Sequence, residues 1–296
     1  MTSDLSQLDV FYGDLTVTRA HVYARLPRRS DGDAGSISGE IRGPICLTAE
    51  TLPVSTPLVD LGPGPTMLAQ ALVPDPCFWS PDLPAIYEVT VHLHSGAQIV
   101  ATARRQIGLR WLGARSRNFV REAKRWILRG VSTMSTTATA PRQWHEANAA
   151  YVTDQQDPDS LVECTQYGAL ATVEVAGTNE QIVSQLRQLS QRPAAALAIV
   201  RGEPSNACQP REVAPNIVCA QPLRSGGDLT IRSWAAAIWA EGDNPRWFGE
   251  VAARTDLPVV AVRRLIKPLP LDAARAACDA LQRDLAPIGQ FAGYVV

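Results

Sequence analysis

Ala194-Ala195-Ala196-Leu197-Ala198-Ile199-Val200 is an unbroken apolar run that follows Pro193 and ends at the charged Arg201. It is too short for a buried helix and suits a strand covered on both faces. Just before it, Glu180 to Gln191 is rich in Gln, Leu and Arg and reads as a helix that Pro193 closes. Strand and helix in alternation are the signature of parallel βα units.

The same pattern continues in both directions. Apolar runs recur at Trp126 to Val131, Ala149 to Thr153, Ala169 to Val175, Asn216 to Ala220, Ala235 to Trp239, Pro258 to Val262 and Phe291 to Val296. Helical segments are expected at Ser160 to Tyr167, Pro245 to Thr255 and Leu271 to Leu285, with Asp272 as an N-cap. With the run at 194–200 these make eight strands, hence a closed (β/α)8 barrel. Residues 116–296 are few for such a barrel, which usually needs about 200 or more. Some helices are therefore expected to be short or missing, chiefly around residues 204–233.

The first part alternates with a period of two. From Ala20 to Leu26 the apolar Ala20, Val22, Ala24 and Leu26 interleave with His21, Tyr23 and Arg25. Tyr87 to Leu93 repeats the pattern, and Ser95-Gly96 turns it into a second run from Gln98 to Ala103, a β-hairpin. Ser36 to Ile41 and Met67 to Val73 add strands between Pro/Gly-rich connections. The reading is a β-sandwich over residues 8–115 followed by a reduced TIM-type barrel over 116–296.

Composition narrows function. Among 296 residues, Lys+Arg 28 against Asp+Glu 29 leaves a net charge of -1, so no overall field favours nucleic acid. No apolar run is long enough to span a membrane. The polar Met1 to Asp9 lacks a secretory signal pattern, and a cytoplasmic location is the expectation. The six cysteines are scattered without a CxxC pair and read as buried, reduced thiols. His92 and His94 share one strand face but have no third ligand nearby, so no metal is expected. No cofactor motif is present; Arg224-Ser225-Gly226-Gly227-Asp228 is at most a weak anion-holding turn. Nothing in the sequence fixes an oligomeric state.

Three segments carry a resemblance. They are Cys77-Phe78-Trp79-Ser80-Pro81-Asp82-Leu83-Pro84, Gln106-Ile107-Gly108-Leu109-Arg110, and Lys124-Arg125-Trp126-Ile127-Leu128-Arg129-Gly130-Val131. In order and spacing they resemble glycoside hydrolase family 2. There such motifs close an immunoglobulin-like β-sandwich and open a catalytic barrel. The resemblance implies a retaining mechanism, with an acid/base carboxyl after the fourth barrel strand and a nucleophile after the seventh. Gly202-Glu203 matches the first position, with glycine where the family has asparagine; the nucleophile position matches Arg263, which cannot attack an anomeric carbon. A further V-R-x-x-H-x-P pattern aligns with Val152 to Pro158, where both the Arg and the His are absent.

Strand ends are where a barrel keeps its chemistry. They supply Glu203, Glu174 and Glu241 as candidate catalytic acids, and Arg129, Arg201 and Arg263 as candidate substrate-binding cations, with Arg264 standing beside Arg263 after the seventh strand. Trp144 and Trp239 are candidate apolar platforms for sugar rings at the mouth. Two readings follow. One is a catalytically degenerate scaffold binding a saccharide or a protein partner, with Arg263 facing Glu203 in a former active site. The other is an active O-glycosyl hydrolase using Glu203 as general acid/base, with Glu174 or Glu241 as second carboxylate.

Overall fold

The structure is a computed structural model that describes residues 5–28, 35–154, 157–202, 204 and 209–296. It divides into two compact units: residues up to 110 together with 191–193, and residues 111–190 with 194–296.

The first unit is antiparallel and sandwich-like. Its strands are β1 (Asp9–Gly13), β2 (Arg19–Pro27), β3 (Ser36–Ile45), β4 (Val54–Asp60), β5 (Thr66–Pro74), β6 (Ile86–Ser95) and β7 (Gln98–Ile107), in the order β1-β2-β5-β4-β3-β6-β7. Period-two patterning decides the inner face. Ala20, Val22, Ala24 and Leu26 of β2 join Ile37, Ile41, Tyr87, Val89 and Val91 in one core. β4 passes from one layer to the other. Its residues Val54 to Leu58 pair with β3, and Val59 and Asp60 pair with Gln70 and Ala69 of β5. The Asp60 carboxylate holds the crossing, accepting from the Ile37 amide at 2.9 Å and the Gly62 amide at 2.6 Å. The β6–β7 hairpin turns at Gly96, whose φ of 58 suits glycine.

The second unit opens with a small antiparallel sheet, β8 (Leu112–Arg115), β9 (Asn118–Arg121) and β10 (Lys124–Trp126). Eight parallel strands then close a barrel: β11 (Leu128–Ser132), β12 (Ala150–Thr153), β13 (Ala171–Ala176), β14 (Ala195–Arg201), β15 (Val218–Arg224), β16 (Ala237–Glu241), β17 (Val259–Val262) and β18 (Gly293–Val295). All eight expected strands are there. Helices α1 (Arg142–Glu146), α2 (Pro158–Tyr167), α3 (Asn179–Ser190), α4 (Pro210–Val213), α5 (Pro245–Ala253) and α6 (Leu271–Leu285) lie between strands. The shortening falls where size requires it: α4 has 4 residues, and no helix is described between β15 and β16.

Local chemistry explains the helix starts. Asp157 caps α2, accepting from the amides of Asp159 and Ser160, with Pro158 pre-set at the first helical position. Asn244 and Pro245 do the same for α5. The expected cap of α6 is corrected: Pro270 holds the N-cap position, and Asp272 lies inside the first turn, where a negative charge suits the helix dipole.

Strand register sorts the barrel into a lumen and an outer face. Arg129 bonds Asp279 at 2.9 Å and Gln282 at 2.8 Å, both on α6, so its face is the outer one. Gly130, one residue on, faces the lumen, where a Cβ would come within 2.8 Å of Val152 and 3.0 Å of Val295. No described helix is long and apolar enough to cross a membrane.

Candidate functional site at the barrel mouth

On β13, Thr172, Glu174 and Ala176 share the face that β14 continues with Leu197, Ile199 and Arg201. On β16 the corresponding face carries Ala237, Trp239 and Glu241, flanked by Pro222 and Arg224 of β15 and by Val260 and Val262 of β17. Arg201 of β14 reaches Glu241 of β16, which is not a neighbouring strand, so both side chains project into the lumen. Below them Leu197, Ile199, Trp239 and Val260 fill the barrel as a packed core.

At the strand ends the charges form one chain. Arg201 donates through Nε to Glu174 at 2.6 Å and through Nη2 to Glu241. Glu241 is the most enclosed acid of the group, its side chain 9% exposed, and its second oxygen accepts from Arg224 Nε at 3.0 Å. Arg264 Nη2 approaches that same oxygen at 3.8 Å. Partial burial works against the charge of Arg201, but the hydrogen bonds it donates to Glu174 and Glu241 and their attraction outweigh it, raising its pKa above the ordinary arginine value.

Several expected site residues take other places. Arg263 does not face the mouth: its guanidinium bonds Asp284 of α6 at 3.0 Å, because strand alternation turns Val262 inward and Arg263 outward. Arg129 is likewise held on the outer face by α6. Trp144 and Trp239 border no open mouth. Trp144 is fully buried, its indole donating to the Val131 carbonyl at 2.9 Å and its ring edge-on to Tyr151; Trp239 is buried in the lumen one pleat below Glu241. Glu203 lies outside the described residues, as do Gln155 and Gln156 of the Val152 to Pro158 segment.

Arg264, one of the two strand-end arginines after the seventh strand, does reach the mouth, having the same parity as the inward-facing Val260 and Val262; Arg224, read only as the start of a weak anion-holding turn, is the last residue of β15 and reaches the mouth as well. Among the described residues no group of His, Cys, Asp and Glu is placed to hold a metal. His94 instead pairs with the Ser38 hydroxyl at 2.7 Å and His92 with that of Thr102 at 2.9 Å. The described cysteines are free thiols, but Cys46 and Cys77 are only half-buried, and Cys208 lies outside the described residues. A separate groove of about 1110 Å³ in the first unit, lined by Ile41, Cys46, Glu50, Leu52 and Tyr87 among others, holds none of the expected site residues.

Residues 12–110 match the family model described as Glycosyl hydrolases family 2. Over those residues the chain is similar to glycoside hydrolase family 2. The fold of this family 2-like chain recurs in solved structures. It covers 99% of itself and 56% of an FMN-binding β-glucuronidase from Facaelibacterium prausnitzii L2-6, at 14% identity and a TM-score of 0.64. A glycosyl hydrolase family 2 member from Bacteroides cellulosilyticus is matched at 13% identity and a TM-score of 0.67, over 99% of this chain and 43% of that one. The β-glucuronidase of Parabacteroides merdae gives 12% and 0.62, over 98% and 46%. The family 2-like chain thus spans about half the length of the solved structures it matches. None of the curated proteins matches it in sequence.

Proposed function

We propose that this family 2-like chain is a catalytically degenerate glycoside hydrolase whose barrel mouth serves as a carbohydrate-binding scaffold. One observation carries the reading. Retaining hydrolysis needs two carboxyl groups facing each other across a sugar, about 5 Å apart with the anomeric carbon between them. Here the strand-end acids Glu174 and Glu241 are joined by the guanidinium of Arg201, which bonds to both and so ties up the pair as an ion-pair network. The residue that the family resemblance matches to the nucleophile, Arg263, is bonded to a helix outside the barrel. What the described residues leave open at the mouth is a pair of exposed arginines, Arg224 and Arg264, chemistry suited to holding a polar ligand.

The test is a panel of 4-nitrophenyl glycosides that includes the β-D-glucuronide, run beside calorimetric titration of the same sugars. Binding without release of 4-nitrophenol is the expected result. Release that disappears in Glu203→Gln and in Glu241→Gln would establish the active hydrolase instead.

A further inference from the structure

Three guanidiniums meet two carboxylates at the mouth among the described residues, and the surplus lies on one side. Glu174 is engaged by Arg201, and Glu241 spends one oxygen on Arg201 and the other on Arg224 Nε. Among the described residues that leaves the terminal nitrogens of Arg224 without a partner and Arg264 no closer than 3.8 Å to an acid. Both side chains are open to solvent, at 64% and 72% exposure. They come from β15 and from the end of β17, the two strands that flank β16, and so converge on Glu241 from either side. Glu241 holds the Arg224 head by a hydrogen bond and draws the Arg264 head to 3.8 Å, while neutralising only part of their charge.

We infer that Arg224 and Arg264 form a receptor for a tetrahedral oxyanion ester, a sulfate or a phosphate, carried on the saccharide that binds the mouth. This rests on the saccharide-binding reading above and adds the ligand's charge class. The geometry selects the tetrahedral group. A planar carboxylate is matched by the fork of one arginine, whereas two guanidiniums arriving from separate strands offer donors from two sides. A sulfate or phosphate directs its oxygens in three directions and can use both. Glu241 repels an incoming anion, but its own two oxygens are already occupied by Arg201 and Arg224. The net charge of the described cluster, Arg201, Arg224 and Arg264 against Glu174 and Glu241, remains positive.

The experiment titrates the full chain with 4-nitrophenyl β-D-glucoside, its 6-sulfate, its 6-phosphate, the 4-nitrophenyl β-D-glucuronide and inorganic sulfate. At low salt one or both esters should bind at least about tenfold more tightly than the neutral glucoside, as expected for charge-assisted hydrogen bonds. Which ester wins distinguishes sulfate from phosphate. The double variant Arg224→Gln, Arg264→Gln, with its fold checked by circular dichroism, should lose that difference. Equal binding of glucoside and esters, a glucuronide as tight as the better ester, inorganic sulfate as tight as either ester, or a preference that survives the double variant would each overturn the inference. If the neutral glucoside binds without any ester preference, only this inference falls; if no sugar binds, the scaffold reading falls with it.

Discussion

Arg263 donates to Asp284 of α6 at 3.0 Å, while its neighbour Arg264 turns to within 3.8 Å of Glu241 at the mouth. Adjacent arginines thus serve opposite faces of the barrel wall, one fastening a helix and the other pointing to the mouth. Arg263→Gln is therefore expected to lower stability slightly and leave saccharide affinity unchanged, since an exposed pair of this kind contributes about 0–1 kcal/mol. Urea denaturation and calorimetry together check both halves.

Arg201→Met should destabilise the fold by about 2 kcal/mol, because it leaves two acids facing each other in the lumen. The figure is set below that of a fully buried pair because Arg201 and Glu174 remain about a fifth exposed. Adding Glu174→Gln and Glu241→Gln should restore part of the loss. The reading is the urea midpoint at unchanged slope.

Acid should loosen the α6 anchor. Burial opposes the charge of Asp279, but hydrogen bonds and attraction from Arg275 and Arg129 outweigh it, so its pKa lies below the ordinary 3.8. A depressed folded pKa contributes stability that is present above the unfolded value and lost as pH falls through the folded one. The stability advantage of the native chain over Asp279→Asn should therefore hold at neutral pH and shrink as pH falls below 3.8. Melting curves of both proteins across that range would show it; a constant difference would contradict it.

Close packing of the barrel makes small residues critical. A Cβ at Gly293 would lie 2.7 Å from the Leu128 Cβ and 3.1 Å from its carbonyl oxygen, and one at Gly130 would meet Val152 at 2.8 Å. Gly293→Ala and Gly130→Ala should each cost about 1–3 kcal/mol through overpacking, measured by thermal unfolding.

Buried thiols should be silent. Burial pushes Cys219 up to about 12 and Cys278 up to about 11, and Cys164 higher still. Brief maleimide labelling of the native protein at pH 8 should therefore mark Cys46 in peptide maps and spare these three. Strong labelling of Cys278 would mean that α6 opens readily from the barrel.

The barrel was legible because each of its strands is covered on both sides and so appears as an apolar run; the helix Leu271–Leu285 begins and ends where the sequence places it. Small-residue runs such as Ala195–Arg201 could be read directly, since no polar face interrupts them. The site was read less well for a related reason. An apolar run conceals which of its residues point inward, and without that parity Trp239 looks like a rim residue and Arg263 looks like a mouth residue. Register settles both, and it also brings Arg224 and Arg264, far apart in the chain, to Glu241 from the two strands flanking β16, a convergence no local pattern announces.

The passage of β4 between layers has a mechanical side. Because Leu58 is paired with Gly39 of β3 and Val59 with Gln70 of β5, one short segment ties the two layers by their backbones. Fraying there would release amides in both layers together, so their hydrogen exchange should rise and fall as a single cooperative block.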